Sequence, residues 1–428
     1  SKRDSIYKYL QHCVNKFDLT KHIKFNTTVE SIKYDESLKI WKSAIINKGN
    51  KTILESNIVI SAVGQLNKPS FPDISGIEAF NKPLIHTAKW DKNYNFKNKV
   101  IALIGTGASG MQVAPELAKI TKKLLIFQRT PHWIIANPNY HRKLSKGKKW
   151  VLENIPYYAR WYRLQLFWGF CDGIHESLCK DPNWHFPERS INHTNERFRI
   201  NMIKHIESLI GNNKELLDKV IPDYPPYGKR MLMDNNWFKM LKKENVNLIT
   251  DKINYINQNS IITNNNSYNI DAIVTATGFN AGKMIWPIEV LGKNGTNLND
   301  YWEDDNPRAH IGITVPNFPN FFMMYGPNTN LAHGGSIVFQ GECQIRYILG
   351  CINLLLEKNY NNMDCKTESY IKYNTKLDEQ HAQMVWTHNK VDSWYRNKAG
   401  RVTTNSPWRL VDYWKFTKEP KESDYIFT

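Results

Sequence analysis

Gly105, Gly107 and Gly110 stand between an apolar run and an amphipathic one. That placement gives them a chemistry, the binding of a dinucleotide pyrophosphate. Val100 to Ile104 read as a buried strand, and Met111, Gln112, Val113, Ala114 and Leu117 continue at helical spacing. The loop Gly105-Thr106-Gly107-Ala108-Ser109-Gly110 therefore joins strand to helix. Gly105 permits the tight turn, Gly107 lets the backbone approach a phosphate, and Gly110 allows the helix to pack closely. The helix N-terminus then faces the anion with its unpaired N–H groups. A purely structural glycine turn is the plainer alternative, and the strand before and the helix after count against it.

The next strand, Leu124 to Gln128, should end beside the adenine ribose. A cofactor without a 2′-phosphate calls for Asp or Glu there; this chain has Arg129 and Thr130. A guanidinium takes a 2′-phosphate bidentately, so the pattern favours NADP over NAD. An arginine at a strand end is common, so this step alone is modest. Lys229 and Arg230 lie in the Pro/Gly-rich turn YPPYGKRMLMDNNWF and, taken alone, read as a basic surface pair.

These residues must be carried by a folded body, and 428 residues with 41% hydrophobic content suffice for two or three cores of ordinary size. Six cysteines without a C-x-x-C pair suit reduced thiols and a cytoplasmic location, and no metal site is expected. The net charge of +17 is spread along the chain with asparagine and isoleucine. It forms no patch, so nucleic acid is not an expected partner. From Lys146 to Phe170 basic and aromatic residues mix at roughly helical spacing, as in a helix lying on a membrane. Packing of an inserted helix into the core is the expected use, and membrane contact is not expected.

Three blocks emerge, an α/β arrangement in which they interlock. Residues 1–98 comprise a helix-like stretch, alternating strands and the apolar strand Asn57 to Gly64. Residues 99–285 hold the glycine loop and a mainly helical insertion over about 143–220. Residues 286–428 form the third block.

Upstream of the glycine loop, the run FNKPLIHTAKWD holds Phe80, His86, Trp90 and Asp91. It resembles the linker fingerprint of Baeyer–Villiger monooxygenases, F-x-G-x-x-x-H-x-x-x-W-[P/D]. QRTPHWI and the turn around Lys229 are similar to runs in the same family, the latter in its 4-hydroxyacetophenone branch. The resemblance implies two Rossmann-like domains, one for FAD and, inserted into it, one for NADP. It also implies oxygenation of a ketone to an ester or lactone by NADPH and O2 through a flavin C4a-peroxide. Arg230 would be catalytic, its fixed cation stabilising the peroxide, while Lys229 would face the NADP 2′-phosphate. Ala276, Thr277 and Gly278 match the family's A-T-G-[F/Y] turn beside a cofactor. Gly326, Pro327 and Asn328 would approach the flavin ring, and Trp394 the nicotinamide cofactor, although a lone Trp more often packs in a core. His86, Trp90 and Asp91 would govern domain movement rather than proton transfer.

Departures are specific. Lys82 replaces the fingerprint's usual glycine, with strain expected if that position needs positive φ. Ala62-Val63-Gly64 replaces a Thr-Gly turn. A second glycine loop, for FAD, and the aspartate that partners the family's arginine are not found, so the chain reads as a fragment lacking its beginning. An N- or S-oxygenating flavin monooxygenase acting on a heteroatom substrate is the second reading, and a non-catalytic NADP-binding module the third. AHGGS, from Ala332 to Ser336, suggests an esterase oxyanion hole, but no G-x-S-x-G elbow accompanies it. An oligomer is compatible with all of these.

Overall fold

The computed structural model describes residues 3–137, 140, 142–169, 171–332 and 335–428. Ser1, Phe170 and the His333 and Gly334 of AHGGS lie outside the described residues.

Helix α1 (Arg3–Lys16) leads to an antiparallel meander of β1 (Thr27–Asp35), β2 (Ile40–Asn47) and β3 (Asn50–Ser56). The strand Glu289–Leu291, from the third block, adds in parallel to the free edge of β1. The next strand, β4 (Val59–Ser61), likewise pairs in parallel with Phe321–Met323. First and third blocks therefore share sheets as well as a core, in which Trp41 is fully buried and donates its indole N–H to the Pro319 carbonyl. Burying an indole N–H without such a partner would offset part of what the ring's burial contributes.

The second block is a five-stranded parallel sheet in the order Val246–Ile249, β7 (Lys123–Phe127), β6 (Val100–Ile104), Ala272–Thr275 and β5 (Leu84–His86). Helix α2 (Ala108–Leu117) packs on it through Met111, Ala114 and Leu117. Continuous apolar runs fit strands covered on both faces.

The linker, which falls within residues 1–98, contributes a strand to this sheet, as β5 pairs residue for residue with Ile273–Thr275. The cause is hydrogen bonding, since the strand Ala272–Thr275 is buried throughout and its backbone groups need partners on both edges. Ile74, Ile77 and Phe80 pack against the same block. The chain crosses over near Ser70 and returns near Gly278. There the two crossovers run side by side: Ser70 N donates to the Gly278 carbonyl, Asn280 N to that of Lys68, and Pro69 and Phe279 form an antiparallel bridge.

The insertion is mainly helical, with α3 (Lys146–Asn154), α4 (Tyr158–Gly169) and the helix His193–Ile210. The last buries Met202, Ile206 and Ile210. Helices α3 and α4 bury no residue, and Trp161 and Trp168 are 64% and 60% exposed, which corrects the expectation of core packing. In α4 the apolar side chains fall around the helix; Phe167 meets Phe339 edge-on, and the rings of Tyr158 and Tyr162 lie against Lys148 of α3. No helix among the described residues is long and apolar enough to cross a membrane.

Candidate active site

The glycine loop shows a division between residues the chain requires and one it does not. Gly105 has φ +102°, and a Cβ there would lie 2.6 Å from the Ala276 carbonyl oxygen. A Cβ on Gly110 would lie 2.3 Å from the oxygen of Gly105. Gly107 caps α2 with ordinary φ and has no neighbour within 4 Å of such a Cβ. Packing thus explains Gly105 and Gly110. Gly107 opens onto the helix N-terminus, where N–H groups without intrahelical partners point outward and an anion fits. Thr106 is buried, Ala108 exposed and Ser109 between them.

At the end of β7, residues a hundred positions apart meet. Lys229 Nζ donates to Thr130 Oγ1 at 2.9 Å, and the ammonium lies 4.9 Å from the centre of the Tyr224 ring. Burial lowers the lysine's pKa, while Asp392 acts in the opposite direction. Arg129 is exposed and faces Asp392 at 3.8 Å. Beside them stands His132, which no spacing in the run QRTPHWI singles out. Burial first and the Lys229 charge second push it down to about 4, and its Nδ1 is buried without a partner. With Thr106, Gln128 and Trp237 it lines a small cavity. A buried cation with spare donors, a hydroxyl and an unpaired ring nitrogen is a set that a phosphorylated ribose would satisfy.

Arg230 turns the other way. Its Nη1 donates to the Leu331 carbonyl at 3.3 Å, and its charge counters the effect of burial on Tyr325 and Tyr395. Tyr325 precedes Gly326, and Tyr395 carries the ring of Trp394 at 4.8 Å. Trp394 is 40% exposed and so is not the core aromatic that its residue type favoured. Arg230, Tyr325 and the Trp394 segment therefore share one neighbourhood.

The loop beyond Tyr325 is bound tightly to its surroundings. A Cβ on Gly326 would lie 2.4 Å from the Gly312 oxygen. Asn328 is 2% exposed and donates its amide to the carbonyls of Val402 and Asn405. Its side chain serves the fold, and its backbone N–H donates to the Thr403 carbonyl. Gln65 donates to the Gly326 carbonyl at 3.4 Å, and its own Oε1 is buried without a partner.

The linker residues separate. His86 is buried between Phe71 and Phe279, at centroid distances of 5.2 and 6.1 Å, and its Nδ1 accepts from Ala88 N. Thr277 Oγ1 donates to the Ser70 carbonyl, and Gly278 turns with φ +86°. Buried Ala276 lies under the Gly105 turn. Trp90 stacks on Phe96, Asp91 accepts from Asn93 N, and Phe80 packs under the sheet. Lys82 does not have positive φ, so no strain arises; its Nζ donates to the Ile270 carbonyl at 2.7 Å and ties the linker to the adjacent strand.

Residues 1–150 match the model of the family described as "Flavin-binding monooxygenase-like". The chain is 31% identical to a Baeyer–Villiger monooxygenase of Pseudomonas aeruginosa across 100% of its own length and 78% of that protein. It belongs to the Baeyer–Villiger monooxygenases. It is also 38% identical to the uncharacterized monooxygenase y4iD of Sinorhizobium fredii over 97% of the chain and 63% of that protein. The chain thus spans less than two thirds of that relative. A solved structure described as OTEMO in complex with FAD and NADP superposes with a TM-score of 0.85. It is 23% identical and is covered over 85% of its length, against 100% of this chain. The two-dinucleotide-domain α/β architecture follows from that likeness.

Proposed function

We propose that this protein uses NADPH, FAD and O2 to convert a small ketone to an ester or lactone, with Arg230 as the catalytic cation. The observation that carries this reading is the opposed placement of Lys229 and Arg230. One cation reaches Thr130 at the expected nucleotide end, and its neighbour faces Tyr325, Tyr395 and the segment of Trp394.

The loop around Gly107 would hold the pyrophosphate of NADP, and Thr130, Lys229 and Arg129 its 2′-phosphate. The backbone of Ala276, Thr277 and Gly278 would border that cofactor, and the backbone of Gly326, Pro327 and Asn328 would border FAD, with Gln65 Oε1 an acceptor still to be satisfied. FAD, when bound, supplies activation of O2. Arg230 supplies a positive charge where negative charge develops on oxygen. Trp394 would cover the nicotinamide side. His86, Trp90 and Asp91 would act on domain closure, and six free thiols support a reducing, cytoplasmic setting.

The experiment is a visible spectrum of the purified protein with FAD, then with NADPH, followed by product analysis on paired ketone and sulfide substrates. Flavin absorbance that bleaches with NADPH, and an ester product, are expected. Turnover of sulfide alone would move the reading to heteroatom oxygenation.

A further inference from the structure

One acidic side chain reaches the cationic end of the nucleotide site from outside the second block. Asp392 Oδ2 lies 3.8 Å from Arg129 Nη2, and both side chains are at least 85% exposed. Its position is fixed by its neighbours rather than by that ion pair. Val391 is 1% exposed and packs with Trp133 and Tyr224, and a Cβ on Gly228 would lie 2.4 Å from its Cγ2. His388 Nε2 meets the Pro187 carbonyl, and Arg396 Nη2 donates to the carbonyl of His388. The segment 388–396 is thus held against the turn that carries Lys229, with the Asp392 carboxylate directed at the cations.

We propose that Asp392 is an internal competitor for the 2′-phosphate of NADP, occupying Arg129 until the cofactor displaces it. This rests on the NADP reading of the site. A carboxylate and a phosphate monoester call on the same donors, and two anions cannot share them without mutual repulsion. The Arg129 pair is exposed and separated by 3.8 Å, so it is weak enough to open. Lys229, which already feels the Asp392 charge, is 8% exposed and less screened. Asp392 therefore lowers affinity for the phosphorylated cofactor and speeds its release.

The test is calorimetric binding of 2′,5′-ADP and of 5′-AMP to the whole chain and to its Asp392→Asn variant, which needs no flavin and no turnover. The variant is expected to bind 2′,5′-ADP about two- to fivefold more tightly, as removal of a surface ion pair allows, and 5′-AMP as before. The gain should shrink in high salt. Equal or weaker binding of 2′,5′-ADP by the variant overturns the role of Asp392 while leaving the site intact. Wild-type protein that binds the two nucleotides equally would remove the 2′-phosphate site itself, and this proposal with it.

Discussion

The imidazole of His86 and the ring of Phe279 meet edge to face, 6.1 Å between centroids at an interplanar angle of 74°. One belongs to the linker and the other to the returning crossover, so the buried histidine joins the two passages of the chain between its halves. Its Nδ1 accepts from Ala88 N, which leaves the ring proton of the neutral form on Nε2. His86→Leu is expected to strip Ala88 of its acceptor and destabilise the protein by about 1–3 kcal/mol. His86→Asn, which keeps an acceptor, should lose less. Urea unfolding of the two variants compares them directly.

Stability should fall on acidification through histidines that are buried neutral. His381 is 3% exposed, its Nδ1 accepts from the indole N–H of Trp386, and burial with the nearby Arg401 charge pushes it down to about 3. Unfolded, it titrates near 6.5. Below that value the unfolded chain binds a proton that the native chain refuses, so stability present at neutral pH is lost as pH falls from about 6.5 towards 3. His132, held to about 4, adds to the same slope down to that pH. Thermal midpoints measured across this range should drop, and His381→Gln should flatten the dependence. An unchanged slope in that variant would exclude His381 as its source.

Lys229→Met removes the one buried cation of the 2′-phosphate set. Loss of a charge-assisted bond of about 1.5–3 kcal/mol corresponds to roughly 10- to 150-fold weaker NADPH binding. NADH binding should barely change, and steady-state KM values for both cofactors report the difference.

Arg230→Ala is expected to leave the thermal midpoint within about 1 °C, because the side chain is exposed and makes one long bond to Leu331. Product formation should fall by about 10²-fold or more, as when a fixed oxyanion partner is removed. NADPH oxidation should persist as uncoupled turnover. Arg230→Lys should not restore the product, since an ammonium lacks the planar fork.

Gly107→Ala and Gly110→Ala separate binding from packing. The first places a methyl group where no protein atom lies within 4 Å, and should fold normally while weakening NADP+ severalfold. The second sets one 2.3 Å from the Gly105 oxygen and should cost about 1–3 kcal/mol. Paired melting and binding curves distinguish them.

Much of the nucleotide-binding half was legible because its signals are local. A buried strand, a glycine turn and an amphipathic helix declare themselves within eighteen residues, and the structure begins and ends β6 at Val100 and Ile104 as read. Where partners lie far apart in sequence the signal vanishes. The edge strand β3 is exposed along almost its whole length and has no apolar alternation to betray it. The membership of β5 depends on a strand almost two hundred residues later. Helical spacing in α4 could not say whether anything covers it. Asn328 was read as facing a cofactor, while its amide is committed to carbonyls some 75 positions away, which no spacing rule reveals. His132 matters through the charge of Lys229, a neighbour only in three dimensions.

The two crossovers, bonded to each other from Lys68 to Asn280, form a short double-stranded ribbon rather than two independent tethers. Such a ribbon bends and twists but resists sliding of one strand along the other. Gly64 and Gly278 flank it with positive φ and free space around each Cα. Because β5 is locked into the parallel sheet, the linker travels with the nucleotide-binding half as cargo. A rocking of one half against the other would turn about this ribbon, and the swing of the glycine loop would be set by its distance from that axle.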